Sequence, residues 1–124
     1  MAEGERTYTV EEADAMLPEL RELLERVRTN RQTMLAAAER IKGAVDADGG
    51  GRFGNDYWLA SRALRADLER LAQDDIVLRD PETGLVDFPG ERDGERVFLC
   101  WRLGEDRVGF WHDVRSGFLG RRPL

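Results

Sequence analysis

The sequence predicts an α+β fold, a long antiparallel α-hairpin followed by a small antiparallel β-sheet of three to four strands. Apolar residues recur at alternating spacings of three and four through most of the first 75 residues, which is the period of a helix. From residue 76 onward the apolar runs are short and separated by turn residues, as in strands joined by hairpins. A chain of 124 residues suits one domain over 1–124.

The first helix is predicted over residues 9–46. Thr9 and Glu12 have the spacing of a capping box, in which each side chain accepts the other residue's backbone amide. Pro18 lacks an amide hydrogen, so we expect either a kink there or a break that ends a short helix at Leu17. The apolar seam has the heptad spacing of a coiled coil. It comprises Met16, Leu20, Leu23, Val27, Met34, Ala37, Ile41 and Ala44, with Asn30 as its polar member.

The second helix is predicted over residues 55–75, after a glycine-rich connector at 48–51. Two helices with matching apolar stripes and a short loop form an antiparallel hairpin. Because the first helix is longer, part of it must pack on the β unit, pack on a second copy, or protrude. The seam therefore serves either the hairpin core alone or also a homodimer interface. The expected inward face of the second helix comprises Tyr57 or Trp58, then Leu64, Leu68 and Leu71.

The β unit is predicted over residues 76–114, with an irregular tail at 115–124. Its last two strands set the position of the only histidine, His112. If Leu103 faces Val108 across the turn, Leu99 pairs with His112 and Cys100 pairs with Trp111. His112 then shares a sheet face with Val97, Leu99, Trp101 and Phe110, and Cys100 lies on the other face. A bulge of one residue would reverse this assignment.

Composition excludes several classes of function. The net charge of -6 is spread along the chain without a basic arm, which disfavours nucleic-acid binding. The N-terminus lacks the features of a signal peptide, and no apolar run approaches the roughly 20 residues that span a bilayer. A single cysteine allows no intramolecular disulfide. We therefore expect a cytoplasmic protein that binds neither nucleic acid nor membrane.

His112 has two interpretations. It is either a partly buried histidine satisfied by a backbone carbonyl or a carboxylate, or a ligand or proton-transfer residue at the rim of the sheet. Imidazole and carboxylate together can bind a divalent metal such as Zn, Mn or Fe, and the nearest carboxylates are Asp87, Glu105 and Asp113. No CxxC, HxH or HExxH motif is present. Each carboxylate is alternatively a solvated surface residue, and a site with one histidine needs carboxylates or a second subunit.

The residues around His112 could alternatively form a binding site for a small ligand. His112, Glu105, Trp101, Arg102 and Trp111 lie close in sequence, and Arg115, Arg121 and Arg122 could add a basic patch for an anionic or aromatic ligand. The alternative is a set of surface arginines paired with nearby acids. Cys100 is interpreted as a small buried apolar residue, since a nucleophile would need His112 beside it.

Several segments carry a family resemblance. They are Thr9–Ala13, Leu85–Gly90, Leu99–Glu105, Phe110–Asp113 and Gly117–Leu124. Together they resemble the prokaryotic domain of unknown function 2203 family over nearly the whole chain. The resemblance implies a small bacterial or archaeal protein and supplies no catalytic or binding residues.

Two hypotheses follow. The favoured one is a non-enzymatic protein-interaction or dimerisation module built on the α-hairpin, because the seam is long and no catalytic signature is present. The alternative is a protein that binds a small ligand or a metal, and that could be an enzyme, with its site around His112 and Trp101. The sequence leaves the question of enzymatic activity open and leans against it.

Overall fold

The computed structural model describes residues 6–48 and 51–124 and has the predicted α+β architecture. Two helices precede an antiparallel meander in which each strand pairs with the next along the chain. The sheet has five strands rather than three or four. The elements are α1 (Val10–Asp48), α2 (Gly51–Gln73), β1 (Val77–Asp80), β2 (Leu85–Arg92), β3 (Glu95–Arg102), β4 (Phe110–Asp113), a 3₁₀ turn (Phe118–Gly120) and β5 (Arg122–Pro123).

The start of α1 is the predicted capping box. The Thr9 amide donates to Glu12 Oε1 at 2.8 Å, and the Glu12 amide donates to Thr9 Oγ1 at 3.1 Å. Hydrogen bonding from the Thr9 amide first, and then from the Thr9 side chain, lowers the pKa of the Glu12 carboxyl. The helix continues through Pro18, so the alternative of a break at Leu17 is wrong.

The core lies between α1, α2 and one face of the sheet. The first half of α1 packs against both α2 and the sheet. The part of α1 that exceeds the length of α2 therefore packs on the β unit, which is one of the three predicted alternatives. On α2, Tyr57 and Trp58 are 39% and 56% exposed, so neither belongs to the inward face that the sequence predicts. Gly49 and Gly50 of the predicted connector lie outside the described residues. The most completely buried core side chains include Leu20, Leu24, Val27, Val86, Phe88 and Trp101.

The end of α2 turns the chain into the sheet. Asp75 has a left-handed φ of 58°, the Asp75 amide donates to the Ala72 carbonyl, and the Ile76 amide donates to the Leu71 carbonyl. This pair of bonds is a Schellman motif, which satisfies the last carbonyls of a helix. Leu71 and Ile76 are both buried, as the hydrophobic contact of that motif requires.

The C-terminal tail is ordered rather than irregular. β5 pairs with β4, and the Leu124 amide donates to the Gly109 carbonyl at 2.9 Å. The side chain of Arg121 donates to Glu105 Oε1 at 2.6 Å, and its guanidinium lies 3.9 Å from the centroid of the Phe110 ring. These contacts hold the end of the tail as the edge strand of the sheet, beside β4.

None of the described helices combines the length and apolar character needed to cross a membrane.

Candidate functional site

The predicted register between β3 and β4 is wrong by one residue. His112 pairs with Phe98, and Cys100 pairs with Phe110. The reason lies in the preceding loop, where the Val108 amide donates to Asp14 Oδ1 of α1 at 2.7 Å. Val108 is therefore held by the helix, and β4 begins only at Phe110. The slip places His112 on the same face as Cys100, opposite to the predicted arrangement.

Three chemically reactive side chains meet on this second face of the sheet. Asp87 on β2 lies directly opposite Cys100 on β3, and His112 on β4 is the diagonal neighbour of Cys100. Asp87 is 1% exposed, Cys100 0% and His112 2%. We call Asp87, Cys100 and His112 the buried triad. In the described residues, Asp87 and His112 are the buried polar or charged side chains.

Hydrogen bonds orient the imidazole of the triad. His112 Nδ1 lies 2.8 Å from the backbone carbonyl oxygen of Asp113, and Nε2 lies 3.0 Å from Asp87 Oδ2. A carbonyl oxygen only accepts, so Nδ1 carries a hydrogen and donates it. Nε2 faces the Asp87 carboxylate at 3.0 Å, so a hydrogen must lie between these two atoms for the contact to be a hydrogen bond, and a coordinating Nε2 would have to lose it. Metal-binding histidines commonly have this arrangement, in which the second ring nitrogen is anchored to a carbonyl.

Arg79 fixes the carboxylate of the triad. Its Nε donates to Asp87 Oδ2 at 2.7 Å. β1 pairs Leu78 with Val86 and then Asp80 with Leu85, so Arg79 lies in an irregularity of the ladder without a cross-strand partner. Such bulges change the direction of a side chain. Here the guanidinium lies beside Asp87 and 5.0 Å from the centroid of the Phe98 ring.

One oxygen of the triad has no strong donor. Asp87 Oδ1 is buried, and no nitrogen or oxygen donor of the described residues reaches it; the Cys100 thiol, a weak donor, hydrogen-bonds the Asp87 side chain, while Oδ2 contacts both Arg79 and His112. Leaving a buried acceptor unsatisfied typically costs about 1–3 kcal/mol, and more for a charged group. Native proteins rarely carry that cost without a functional reason. Oδ1 is therefore the available ligand atom of this carboxylate.

Cys100 is a protonated thiol in this environment. Burial and, after it, the neighbouring carboxylate of Asp87 together raise the pKa of the thiol to about 11, against the lowering effect of the Arg121 guanidinium. A thiol with this pKa is not a nucleophile near neutral pH. A bound cation would reverse this balance, because a coordinating thiol is deprotonated by the metal.

The triad has the dimensions of a metal site. One potential ligand atom from each residue lies within 4.8 Å of those from the other two. Bonds of about 2.0–2.3 Å at tetrahedral angles place ligand atoms about 3.4–3.7 Å apart. Movements of about 1 Å or less would bring the three atoms to those distances. The thiol and imidazole are ligands that zinc prefers over magnesium or calcium.

A cavity of about 300 Å³ adjoins the triad. Asp87, Cys100 and His112 form part of its wall, and Arg79 and Arg115 bring two guanidinium groups to it. Val114 and Arg115 are exposed, so the cavity opens beside the tail segment that follows β4. The triad is thus buried in the wall of a cavity whose other lining residues include exposed ones.

Of the site residues that the sequence predicts, His112 belongs to the triad and two carboxylates lie elsewhere. Glu105 Oε1 accepts from the Arg102 amide at 2.8 Å and from Arg121. Asp113 Oδ1 accepts from the Arg115 and Ser116 amides at 2.9 and 2.7 Å, and bonds from Ser116 lower the pKa of this carboxyl. Asp113 thus meets His112 through its backbone carbonyl.

The two predicted tryptophans lie away from the triad. Trp101 is fully buried against the helices, and its Nε1 donates to the Glu105 carbonyl at 3.0 Å. Trp111 pairs with Leu99, so it lies on the helix-facing side of the sheet, with the guanidinium of Arg122 5.4 Å from its ring centroid. The predicted face shared by His112 and Trp101 is therefore wrong. Arg102 is exposed at the end of β3.

Sequence reasoning named Asp87 as one possible carboxylate partner of His112, but it placed Cys100 on the opposite face of the sheet and missed Arg79. One signal was available for Asp87. It is a lone acidic residue inside the apolar run Leu85–Pro89, where an unpaired charge is costly. Arg79 carried no comparable signal, because its direction depends on the irregularity in β1.

The fold and the triad define a small α+β protein whose sheet buries a carboxylate, a thiol and an imidazole together. The chain belongs to the DUF2203 family, because the model of the family described as "Uncharacterized conserved protein (DUF2203)" matches residues 6–124. This confirms the resemblance seen in the sequence. No curated protein and no solved structure matches the chain.

Proposed function

We propose that this protein binds a divalent transition-metal ion through Asp87, Cys100 and His112. The observation that carries the proposal is the convergence of three different ligand types in one buried cluster, with Asp87 Oδ1 reached by no nitrogen or oxygen donor of the described residues. A structural ion-pair network would explain the contacts of Asp87 with Arg79 and His112. It would not account for a buried thiol beside a carboxylate oxygen that no nitrogen or oxygen donor of the described residues reaches.

Zinc is the ion that this ligand set suits best. A thiolate, an imidazole and a carboxylate are all common zinc ligands, whereas magnesium and calcium prefer oxygen alone. The Nδ1 hydrogen bond of His112 leaves Nε2 as the coordinating nitrogen. Arg79 holds the opposite oxygen of Asp87, which favours coordination through Oδ1.

Three protein ligands leave a fourth position open on a tetrahedral ion. Structural zinc sites usually have four protein ligands, and catalytic sites have three with a water or substrate in the fourth position. The cavity of about 300 Å³ beside the triad supplies room for such a molecule. The proposal is therefore an ion that binds or activates a small ligand, rather than one that only stabilises the fold.

Metal content tests this proposal directly. The untagged protein would be purified, loaded with Zn²⁺ or Co²⁺, dialysed and measured by elemental analysis. We expect one ion per chain, and for cobalt a thiolate-to-metal charge-transfer band. Cys100→Ser should abolish that band, and His112→Asn should weaken binding while its amide still donates to the Asp113 carbonyl.

The matched control concerns the carboxylate. Asp87→Asn keeps the size of the side chain and removes its charge, whereas Asp106→Asn makes the same change at an exposed position outside the cavity. We expect only the first to lower metal affinity. Wild-type protein that takes up no ion from a metal-supplemented solution, while circular dichroism shows it folded, would refute the proposal.

A second candidate function is homodimerisation through the α-hairpin. Leu35, Trp58 and Leu59 are 54%, 56% and 51% exposed, and Leu64 and Leu68 line apolar grooves beside α2. Exposed apolar surface of this kind commonly marks an interface. These residues support a second copy of the chain as the occupant, since the charges on α2 are self-complementary.

The charges that support a second copy lie one helical turn apart. Arg65 precedes Glu69 on the exposed side of α2, and both line one groove with Leu68. Two α2 helices that cross antiparallel about a two-fold axis would place Arg65 of one protomer beside the partner's Glu69. Light scattering should then report a dimer that Leu68→Glu converts to a monomer. Leu119→Glu, at a residue 97% exposed on the tail, is the control. A wild-type monomer at high concentration would exclude this candidate.

A further inference from the structure

The cavity beside the triad is lined by more positively charged than negatively charged side chains. Arg79 uses Nε to hold Asp87, and its two terminal nitrogens have no hydrogen-bond partner among the described residues. The Arg115 amide donates to Asp113, and its guanidinium likewise has no hydrogen-bond or ion-pair partner in the described part of the chain. Both residues line the cavity. Among the described residues that line it, Asp87 is the acidic one.

A bound divalent ion would increase this positive charge. The carboxylate of Asp87 and the thiolate of Cys100 would neutralise the ion, and the two guanidinium groups would remain without counter-charge. Guanidinium groups bind planar or tetrahedral oxyanions through paired N–H donors. A ligand with an oxyanion group satisfies the arginines and the open metal position together.

We infer that the cavity binds a small molecule through an oxyanion, phosphoryl or carboxylate, with one oxygen on the metal and the others on Arg79 and Arg115. This inference rests on the metal site proposed above and adds the chemical class of its ligand. A cavity of about 300 Å³ is at the lower end of the range for small-molecule sites. Leu85 and Val114 supply apolar contact for the rest of a compact ligand.

Cobalt-loaded protein tests the inference with defined anions. Inorganic phosphate and acetate would each be titrated at constant ionic strength, and the change in the visible cobalt spectrum would give the dissociation constant. Saturable binding of either anion supports the inference, and the tighter anion identifies the phosphoryl or carboxylate class. Arg115→Gln should weaken binding of that anion about tenfold or more, as expected for a hydrogen bond to a charged group.

The control is Arg107→Gln, at an exposed arginine outside the cavity, which should leave anion binding unchanged. Metal content is measured first for each protein. A wild-type protein that binds no cobalt would overturn the proposed function and this inference together. Two results would overturn this inference and leave the metal site intact. One is a fully cobalt-loaded protein whose spectrum responds to neither anion. The other is a fully loaded protein in which the wild type and Arg115→Gln bind the anion with equal affinity.

Discussion

The raised pKa of Cys100 predicts a steep dependence of metal affinity on pH. With a thiol pKa of about 11, only about one molecule in 10⁴ carries the thiolate at pH 7. A metal that binds the thiolate must displace this proton, so each rise of one pH unit should lower the apparent dissociation constant about tenfold. Between pH 7 and pH 9 we expect about a hundredfold gain in affinity.

A site made only of carboxylates would show no such slope between pH 7 and pH 9. Carboxylates are ionised throughout this range, and an ordinary imidazole is already mostly neutral above pH 7. Chelator-buffered zinc titrations at pH 7, 8 and 9 would measure the slope, and calorimetry in buffers of different ionisation enthalpy would count the proton released. Cys100→Ser should bind more weakly with a much shallower slope. A wild-type affinity that changes less than threefold over these two pH units would refute coordination by Cys100.

Three further predictions concern single side chains. Arg79→Gln should lower zinc affinity about 10–100-fold in the same titration, because the side chain that orients Asp87 is lost. Asp75→Gly should raise the free energy of unfolding by about 0.5–1 kcal/mol in a urea titration, because glycine adopts the left-handed φ of 58° without strain. Gly84→Ala should lower it by about 1–3 kcal/mol, because the added Cβ would lie 2.7 Å from Leu103 Cβ at a φ of +72°.

A different result would contradict each of these three predictions. Unchanged zinc affinity in Arg79→Gln would mean that the guanidinium does not position the ligand. Equal or lower stability of Asp75→Gly would mean that the aspartate side chain contributes more than the strain costs. For Gly84→Ala, the comparison is Gly94→Ala, whose added Cβ meets nothing within 4 Å at a φ of +78°. Equal losses in both would assign the effect to backbone strain rather than to the contact with Leu103.

Local signals in the sequence were sufficient for the architecture. The Thr9–Glu12 capping box is set by residues three apart, and the structure contains both of its hydrogen bonds. The predicted seam contains Leu20, Leu23 and Val27 of the core-facing side of α1, and short apolar runs with turn residues identified the sheet. These features depend on neighbours within one helical turn or one hairpin, so one sequence contains them.

The candidate site could not be assembled in the same way. Its members come from three strands, and a register error of one residue moves a side chain to the opposite face of the sheet. That register depends on Asp14, which lies 94 positions from Val108 in the chain and holds its amide. The ordered tail, which places Arg115 at the cavity, likewise depends on long-range contacts with β4.

The sequence by itself determined the α-hairpin, the antiparallel sheet, the helix cap and the membership of a conserved family, because each is written in local spacing or in short motifs. Only the tertiary structure decided that Asp87, Cys100 and His112 share one buried face. The physical reason is that pairing between strands is a non-local choice. It is made by packing and by hydrogen bonds to distant residues, and no local preference in the strands themselves distinguishes one register from the next.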